Sequence, residues 1–170
     1  CVNLKCSRTL ATTSNLRRFA AAIHAELGSS DAPVFIQDYH LALVAPALRA
    51  LRPDARTALF WHIPWPYPDR LRICPWRREL VAGLLANDLI AFQLERDRRN
   101  FLTAAEEELR AEVEVESSRV RLGGRSSTVV SVPIGVDTKA QTMTNIDKSL
   151  ADAWRPHFSS ARYLLDSGGD

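Results

Sequence analysis

Apolar residues follow two patterns along the 170-residue chain. Three short runs show no alternation with polar residues: Val34, Phe35 and Ile36; Ala58 through Trp61; and Leu89 through Phe92. The first follows the turn residues Ser29, Ser30, Asp31 and Pro33 and the second follows Pro53 and Asp54, so strands are expected at 33–37, 57–61 and 88–92. Elsewhere the spacing turns helical. Leu16, Phe19, Ala20, Ile23 and Leu27 recur at helix intervals between Ser14, a cap candidate, and Gly28, a natural stop. A second helix is expected to reach about Leu51, with Pro46 in its first turn or at a kink. A third is expected over 76–86 on Leu80, Val81, Leu84 and Leu85, and a long charged helix over 95–112 with Phe101 and Leu102 inward. Two β-prone runs, 119–122 and 128–132, flank Gly123-Gly124-Arg125, a hairpin signal.

Strands that are apolar on both faces belong in a parallel sheet covered by helices on both sides, which predicts an α/β, Rossmann-like fold. In such a sheet ligands bind beyond the carboxyl ends of the strands. Gln37-Asp38-Tyr39-His40 and His62-Ile63-Pro64 sit there, and the site is expected to start from Asp38 and His62. Gln93, which ends the third strand, is a candidate cleft-lining residue. The stretch Pro64-Trp65-Pro66-Tyr67-Pro68 carries three prolines in five residues and is expected to hold the backbone after His62 stiff.

Composition narrows the classes. The apolar and charged fractions, 46% and 25%, are those of an ordinary globular protein, and the net charge of +2 gives no electrostatic footprint for nucleic acid. The basic runs Arg77-Arg78 and Arg96-Asp97-Arg98-Arg99 include or adjoin acids and are expected on solvated helix faces. Cys1, Cys6 and Cys74 are odd in number, with no Cys-x-x-Cys pair and no histidine at ligand spacing, so no metal site is expected and a reduced, cytoplasmic setting is. No stretch approaches the roughly 18 apolar residues that would span a membrane, and the amino terminus does not read as a secretion signal. The chain begins with Cys1, as expected of part of a longer product. A change to polar, weakly periodic sequence predicts a linker or domain boundary near 138, with Asp137 capping it, and one more short strand at Tyr163, Leu164 and Leu165.

A nucleophile elbow, a phosphate-binding loop and a complete dinucleotide fingerprint are absent, and Gly123-Gly124 is too isolated to count as one. A glycosidase would need two carboxylates about 5–10 Å apart, and only Asp38 stands at a strand end. Each candidate also has a structural reading. Asp38 is a suitable helix cap, and the residues alone leave that reading level with the site. His62 suits a partly buried ring bonded to backbone. Tyr39 and His40 are expected to be structural, with His40 bonding nearby backbone. Trp61 and Trp76 are expected in the core rather than as sugar platforms.

A series of motifs then resembles the trehalose-6-phosphate synthase family of retaining glycosyltransferases. Its members are Gln37-Asp38-Tyr39-His40-Leu41, Phe60-Trp61-His62-Ile63-Pro64-Trp65-Pro66, Pro75-Trp76-Arg77, Gly83-Leu84-Leu85 with Asp88-Leu89, Phe92-Gln93, and Pro133-Ile134-Gly135-Val136-Asp137, with 24 positions from Asp38 to His62. The resemblance covers about 33–138, more loosely 15–27. It implies a two-domain GT-B fold, with residues 1–137 as the later part of an acceptor-side amino-terminal half, incomplete at its amino end. Residues 138–170 would then be the linker and the start of the donor-binding domain.

The resemblance also implies transfer of glucose from UDP-glucose to glucose 6-phosphate, giving trehalose 6-phosphate. Both substrates are small molecules, and no cofactor, obligatory metal, nucleic acid or membrane takes part. Asp38 would bind the acceptor sugar. His62 would be the catalytic residue at the donor glucose. The family's glycine-containing donor loop is not found in residues 1–32, and its Arg-Leu-Asp-Tyr-x-Lys-Gly segment would begin where Asp170 ends the chain. The chain alone is therefore expected to be inactive. The competing readings are a related synthase with another acceptor, such as glycerol 3-phosphate, or another donor nucleotide, and a non-catalytic binding remnant. A homo-oligomer is left open.

Overall fold

The structure, a computed structural model, describes residues 13–134. The boundary near 138, Asp137 and the strand at Tyr163 lie outside the described residues. The described part is mixed α/β, as expected: α1 (Thr13–Leu27), β1 (Val34–Gln37), α2 (Val44–Leu51), β2 (Thr57–Trp61), α3 (Pro68–Leu71), α4 (Arg77–Leu84), β3 (Leu89–Phe92), α5 (Glu95–Leu109), β4 (Glu112–Glu114), β5 (Arg119–Leu122) and β6 (Arg125–Ser131). A 3-10 turn over Tyr39–Leu41 precedes α2.

The six strands form one sheet in the order β1-β2-β3-β6-β5-β4. β1, β2, β3 and β6 run parallel, and β5 and β4 run antiparallel to their neighbours. The central strands are apolar because they are buried on both faces, at all five positions of β2 and all four of β3. One face, carrying Ile36, Leu59, Trp61, Ile90, Phe92 and Val129, packs with residues of all five helices, including Leu16, Val44, Leu71, Val81 and Phe101. The other face holds a smaller cluster of Ala58, Phe60, Leu89 and Ala91 against Val130, Val132 and Ile134.

Helices on both faces were expected, yet the described helices share one. The strand order explains this. Steps from β1 to β2, β3 and β6 all advance in one direction, and right-handed crossovers taken in one direction place every connecting helix on the same side. β1 at the end of the described sheet leaves Phe35 and Gln37 exposed.

The expected hairpin forms between β5 and β6, with Leu122 opposite Arg125. Its two-residue loop, Gly123-Gly124, has φ of 55° and 81°, as a type I′ turn requires at both positions. The long helix ends at Leu109 rather than 112. Arg110 takes a left-handed φ of 58° there, and Glu112–Glu114 becomes an edge strand on β5 instead.

The edge of the sheet at the amino ends of the strands is tied by charge. The Asp88 carboxylate accepts from the Arg49 guanidinium at 2.7 Å, the Thr57 backbone N–H at 2.8 Å and the Arg125 guanidinium at 3.0 Å. A second tie corrects an expectation. Arg98 is buried rather than solvated, and donates to the Val129 carbonyl at 2.8 Å, Glu95 at 2.8 Å, the Val115 carbonyl at 3.1 Å and the Ser118 hydroxyl at 2.9 Å. It stands three and four residues before Phe101 and Leu102, on the same inward stripe. Asp97 is buried as well, in the first turn of α5, where the helix dipole favours a carboxylate. On α1, by contrast, Phe19 turns outward and is 50% exposed while Leu16 and Ala20 are buried. No helix among the described residues is long and apolar enough to cross a membrane.

Candidate functional site

Parallel pairing sets Gln37 beside Phe60, Trp61 beside Phe92 and Phe92 beside Ser131. Asp38, His62 and Gln93, each just after a strand, therefore share the carboxyl edge of the sheet. At about 4.8 Å between neighbouring strands, the three are spread over roughly 10 Å. Among the described residues no charged staple like that at Asp88 occupies this edge, apart from the Glu95 cluster near β6.

Asp38 stands at the amino-terminal cap position of the 3-10 turn but does not cap it through its side chain. Its side chain makes no capping hydrogen bond, and α2 starts six residues later, behind the 3-10 turn. Its backbone N–H continues the sheet by donating to the Phe60 carbonyl at 2.8 Å. The chain then turns sharply at φ 64° and ψ 175°, a region that is essentially restricted to glycine. Holding aspartate there costs about 1–3 kcal/mol. Among the described residues its buried Oδ1 has no hydrogen-bond partner, and its Oδ2 lies 3.8 Å from His40 Nδ1. An unpaired buried oxygen costs about another 1–3 kcal/mol. Both costs fall on one residue at the carboxyl edge of the sheet.

His62 leaves β2 onto the face of the sheet that carries Phe60, whose ring centroid is 4.5 Å from that of His62 at an interplanar angle of 59°. Its Nε2 is 2.6 Å from the Gln37 side-chain carbonyl oxygen. The alternative expected for it, a ring bonded to backbone, is not what forms. Gln37 was not anticipated as a site residue. A polar residue closing the apolar run Val34, Phe35 and Ile36 was its signal, but the pairing itself depends on strand register.

Gln93 accepts the Ile134 backbone N–H at 3.1 Å through its side-chain oxygen, tying the end of β3 to the chain leaving β6. Beside it, Glu95 accepts the Ser131 hydroxyl at 2.9 Å and is paired with Arg98 and Arg99. Burial raises the Glu95 carboxyl, but the Ser131 bond, the Arg98 charge and the bonds from Arg99 and Arg98 together outweigh it and hold it below the usual carboxylate range. The expected bond from His40 to nearby backbone is not formed among the described residues. His40 is 67% exposed, stacked on Tyr39 with centroids 3.8 Å apart, and faces the Asp38 carboxylate.

The proline-rich stretch is anchored by Trp65. Its ring meets Trp61 and Phe101 edge-on at 5.0 Å each, and Phe92 at 5.9 Å. Trp61 is in the core as expected, whereas Trp76 is only half-buried. Packing of this kind holds the backbone next to His62, so that the ring starts from a fixed position. Among the described residues no group of three or more His, Cys, Asp or Glu side chains is placed to hold a metal ion.

Residues 12–155 match the model of glycosyltransferase family 20. The chain is 36% identical over 141 residues to a trehalose-6-phosphate synthase of Mycobacterium ulcerans, covering 79% of this chain and 28% of that one. It is 40% identical over 129 residues to a trehalose-6-phosphate synthase of Mycolicibacterium smegmatis, covering 72% of this chain and 25% of that one.

Among solved structures, it resembles a trehalose-6-phosphate protein from E. coli bound with UDP-2-fluoro glucose (TM-score 0.65, 28% identity, 75% of this chain and 29% of that one). It also resembles a UDP-forming alpha,alpha-trehalose-phosphate synthase from Burkholderia xenovorans in complex with glucose-6-phosphate (TM-score 0.61, 32% identity, 72% of this chain and 29% of that one). The chain thus spans between a quarter and three tenths of the length of these relatives. A parallel sheet with Asp38 and His62 at its carboxyl edge, and a family match over most of the sequence, lead to one assignment: the chain belongs to glycosyltransferase family 20.

Proposed function

We propose that the chain is the acceptor-side part of a retaining glycosyltransferase that moves glucose from UDP-glucose to glucose 6-phosphate and so makes trehalose 6-phosphate. The observation that carries this reading is Asp38, a strained residue with an unpaired buried oxygen, next in the sheet to the strand that delivers His62. Retaining transfer brings the acceptor hydroxyl to the face of the sugar from which the phosphate departs, while positive charge grows on the ring. Positioning and electrostatics carry such a step. The Asp38 carboxylate accepts hydrogen bonds from acceptor hydroxyls, and a ring nitrogen of His62 bonds a hydroxyl of the donor glucose. Gln93 borders the same cleft. On this reading residues 1–137 make up the acceptor-side domain and 138–170 lead into the donor-binding one. The nucleotide sugar is a substrate, no cofactor is used, and the setting is the cytoplasm.

Because the chain spans 28% of its Mycobacterium ulcerans relative, the test belongs on the protein extended to that relative's length. Asp38→Ala and His62→Ala are each expected to lower kcat/KM for glucosyl transfer by about 100-fold or more, the scale of losing one preorganised polar contact in the transition state. Transfer within a few fold of the parent in both variants, with folding intact, would overturn the assignment.

A further inference from the structure

His62 and Gln37 are joined by a short hydrogen bond whose direction has a chemical consequence. Gln37 is the last residue of β1 and pairs in register with Phe60, two residues before His62. The two side chains leave adjacent strands on the same face of the sheet, and the imidazole is held between the Phe60 ring at 4.5 Å and the Gln37 carbonyl oxygen at 2.6 Å. A carbonyl oxygen only accepts, so Nε2 must carry the proton, and in the neutral ring Nδ1 is then the lone-pair nitrogen. Among the described residues His62 makes no second hydrogen bond, so Nδ1 carries no partner there.

We propose that Gln37 is a positioning residue for His62. It holds the ring in the Nε2–H tautomer and in one orientation, so that Nδ1 is presented as a hydrogen-bond acceptor to a sugar hydroxyl. The hydroxyl donates its proton to the hydrogen bond, and no proton transfer is required of the histidine. The strain at Asp38 contributes by turning the chain away immediately after Gln37, so the glutamine stays registered with β2 while the aspartate faces His40. A residue fixed in this way discriminates by direction. A site whose imidazole can only accept selects a sugar with a hydroxyl at that point over one carrying a bare ether or carbonyl oxygen there.

This inference rests on the transferase reading for its substrate, yet the Gln37–His62 pair can be tested without catalysis. In the 170-residue chain with 15N-labelled histidine, long-range ring correlations at a pH where the imidazole is neutral should show His62 as the Nε2–H tautomer. An Nδ1–H tautomer would overturn the proposal. Gln37→Glu keeps the acceptor and should leave that tautomer in place.

In the protein extended to full length, Gln37→Leu should lower kcat about 10-fold or more with the acceptor KM little changed, and Gln37→Glu should recover most of that loss. If the ring behaves as stated but Gln37→Leu transfers glucose at the parental rate, the positioning role is wrong while the transferase assignment stands. If the ring behaves as stated and the parent transfers no glucose to any sugar acceptor, the transferase reading fails instead.

Discussion

The Asp38 backbone N–H donates to the Phe60 carbonyl across 2.8 Å, and this bond carries the β1–β2 ladder one residue past the end of β1. It fixes Asp38 in the sheet frame just before the chain bends into a conformation that aspartate disfavours. The carboxylate is therefore placed by main chain rather than by side-chain partners, and its Oδ1 is left for something else.

Replacing Asp38 should separate stability from binding. At φ 64° and ψ 175° glycine is unstrained whereas alanine is strained nearly as much as aspartate. Asp38→Gly is expected to be more stable than Asp38→Ala by about 1 kcal/mol, after allowing for the greater unfolded-state entropy of glycine. Urea unfolding of the two variants measures the difference. If the glycine variant is the weaker of the two, the backbone at 38 is not strained in solution.

Asp88 should behave in the opposite way, as a purely structural carboxylate. Asp88→Ala removes the acceptor of the Thr57 N–H and of the Arg125 guanidinium and one of several acceptors of Arg49, and is expected to cost about 2 kcal/mol. Arg125→Ala removes only the more exposed partner and should cost less than about 1 kcal/mol. The two denaturation midpoints give the comparison, and equal costs would mean that the bonds to Thr57 and Arg49 together contribute little.

Glu95 predicts a pH dependence of stability. Burial opposes ionisation, but the Ser131 hydroxyl and Arg98 prevail, so its folded pKa lies below its unfolded one. A depressed carboxyl stabilises the fold fully above the unfolded value, about 4.3, and loses that contribution as pH falls through the folded value. Glu95→Gln should therefore lose less stability than the parent as pH is lowered from about 5 to about 3, with the gap between them nearly constant above pH 5. Parallel losses in the two proteins would show that another carboxylate controls the acid limb.

The strands and helices were legible because burial on two faces forces a recognisable composition. β2 and β3 are buried at every position, so nothing polar interrupts them, and their expected limits differ from the observed ones by a residue at most. β4 was not legible. Its three residues, Glu112, Val113 and Glu114, continue the charged composition of α5, and only pairing with β5 makes them a strand. Arg98 reads as one more surface arginine until its neighbours are counted on the helix face, where Phe101 and Leu102 share its stripe. Phe19 fails the other way. It sits at helical spacing from Leu16 and Ile23, but α1 packs on α2 through a narrower stripe that omits it.

By itself the sequence determined the alternation of elements, the parallel character of the sheet, the two-glycine turn, and the presence of Asp38 and His62 just beyond strand ends. These depend on neighbours in the chain or on apolar composition, both of which are local. Only the tertiary structure decided that the described helices share one face, that Asp38 is strained with an unpaired oxygen, and that Gln37 holds His62. The Gln37–His62 bond joins residues 25 positions apart, and it exists because β1 pairs with β2 in one register. A slip of one residue would turn Gln37 to the opposite face of the sheet and break it.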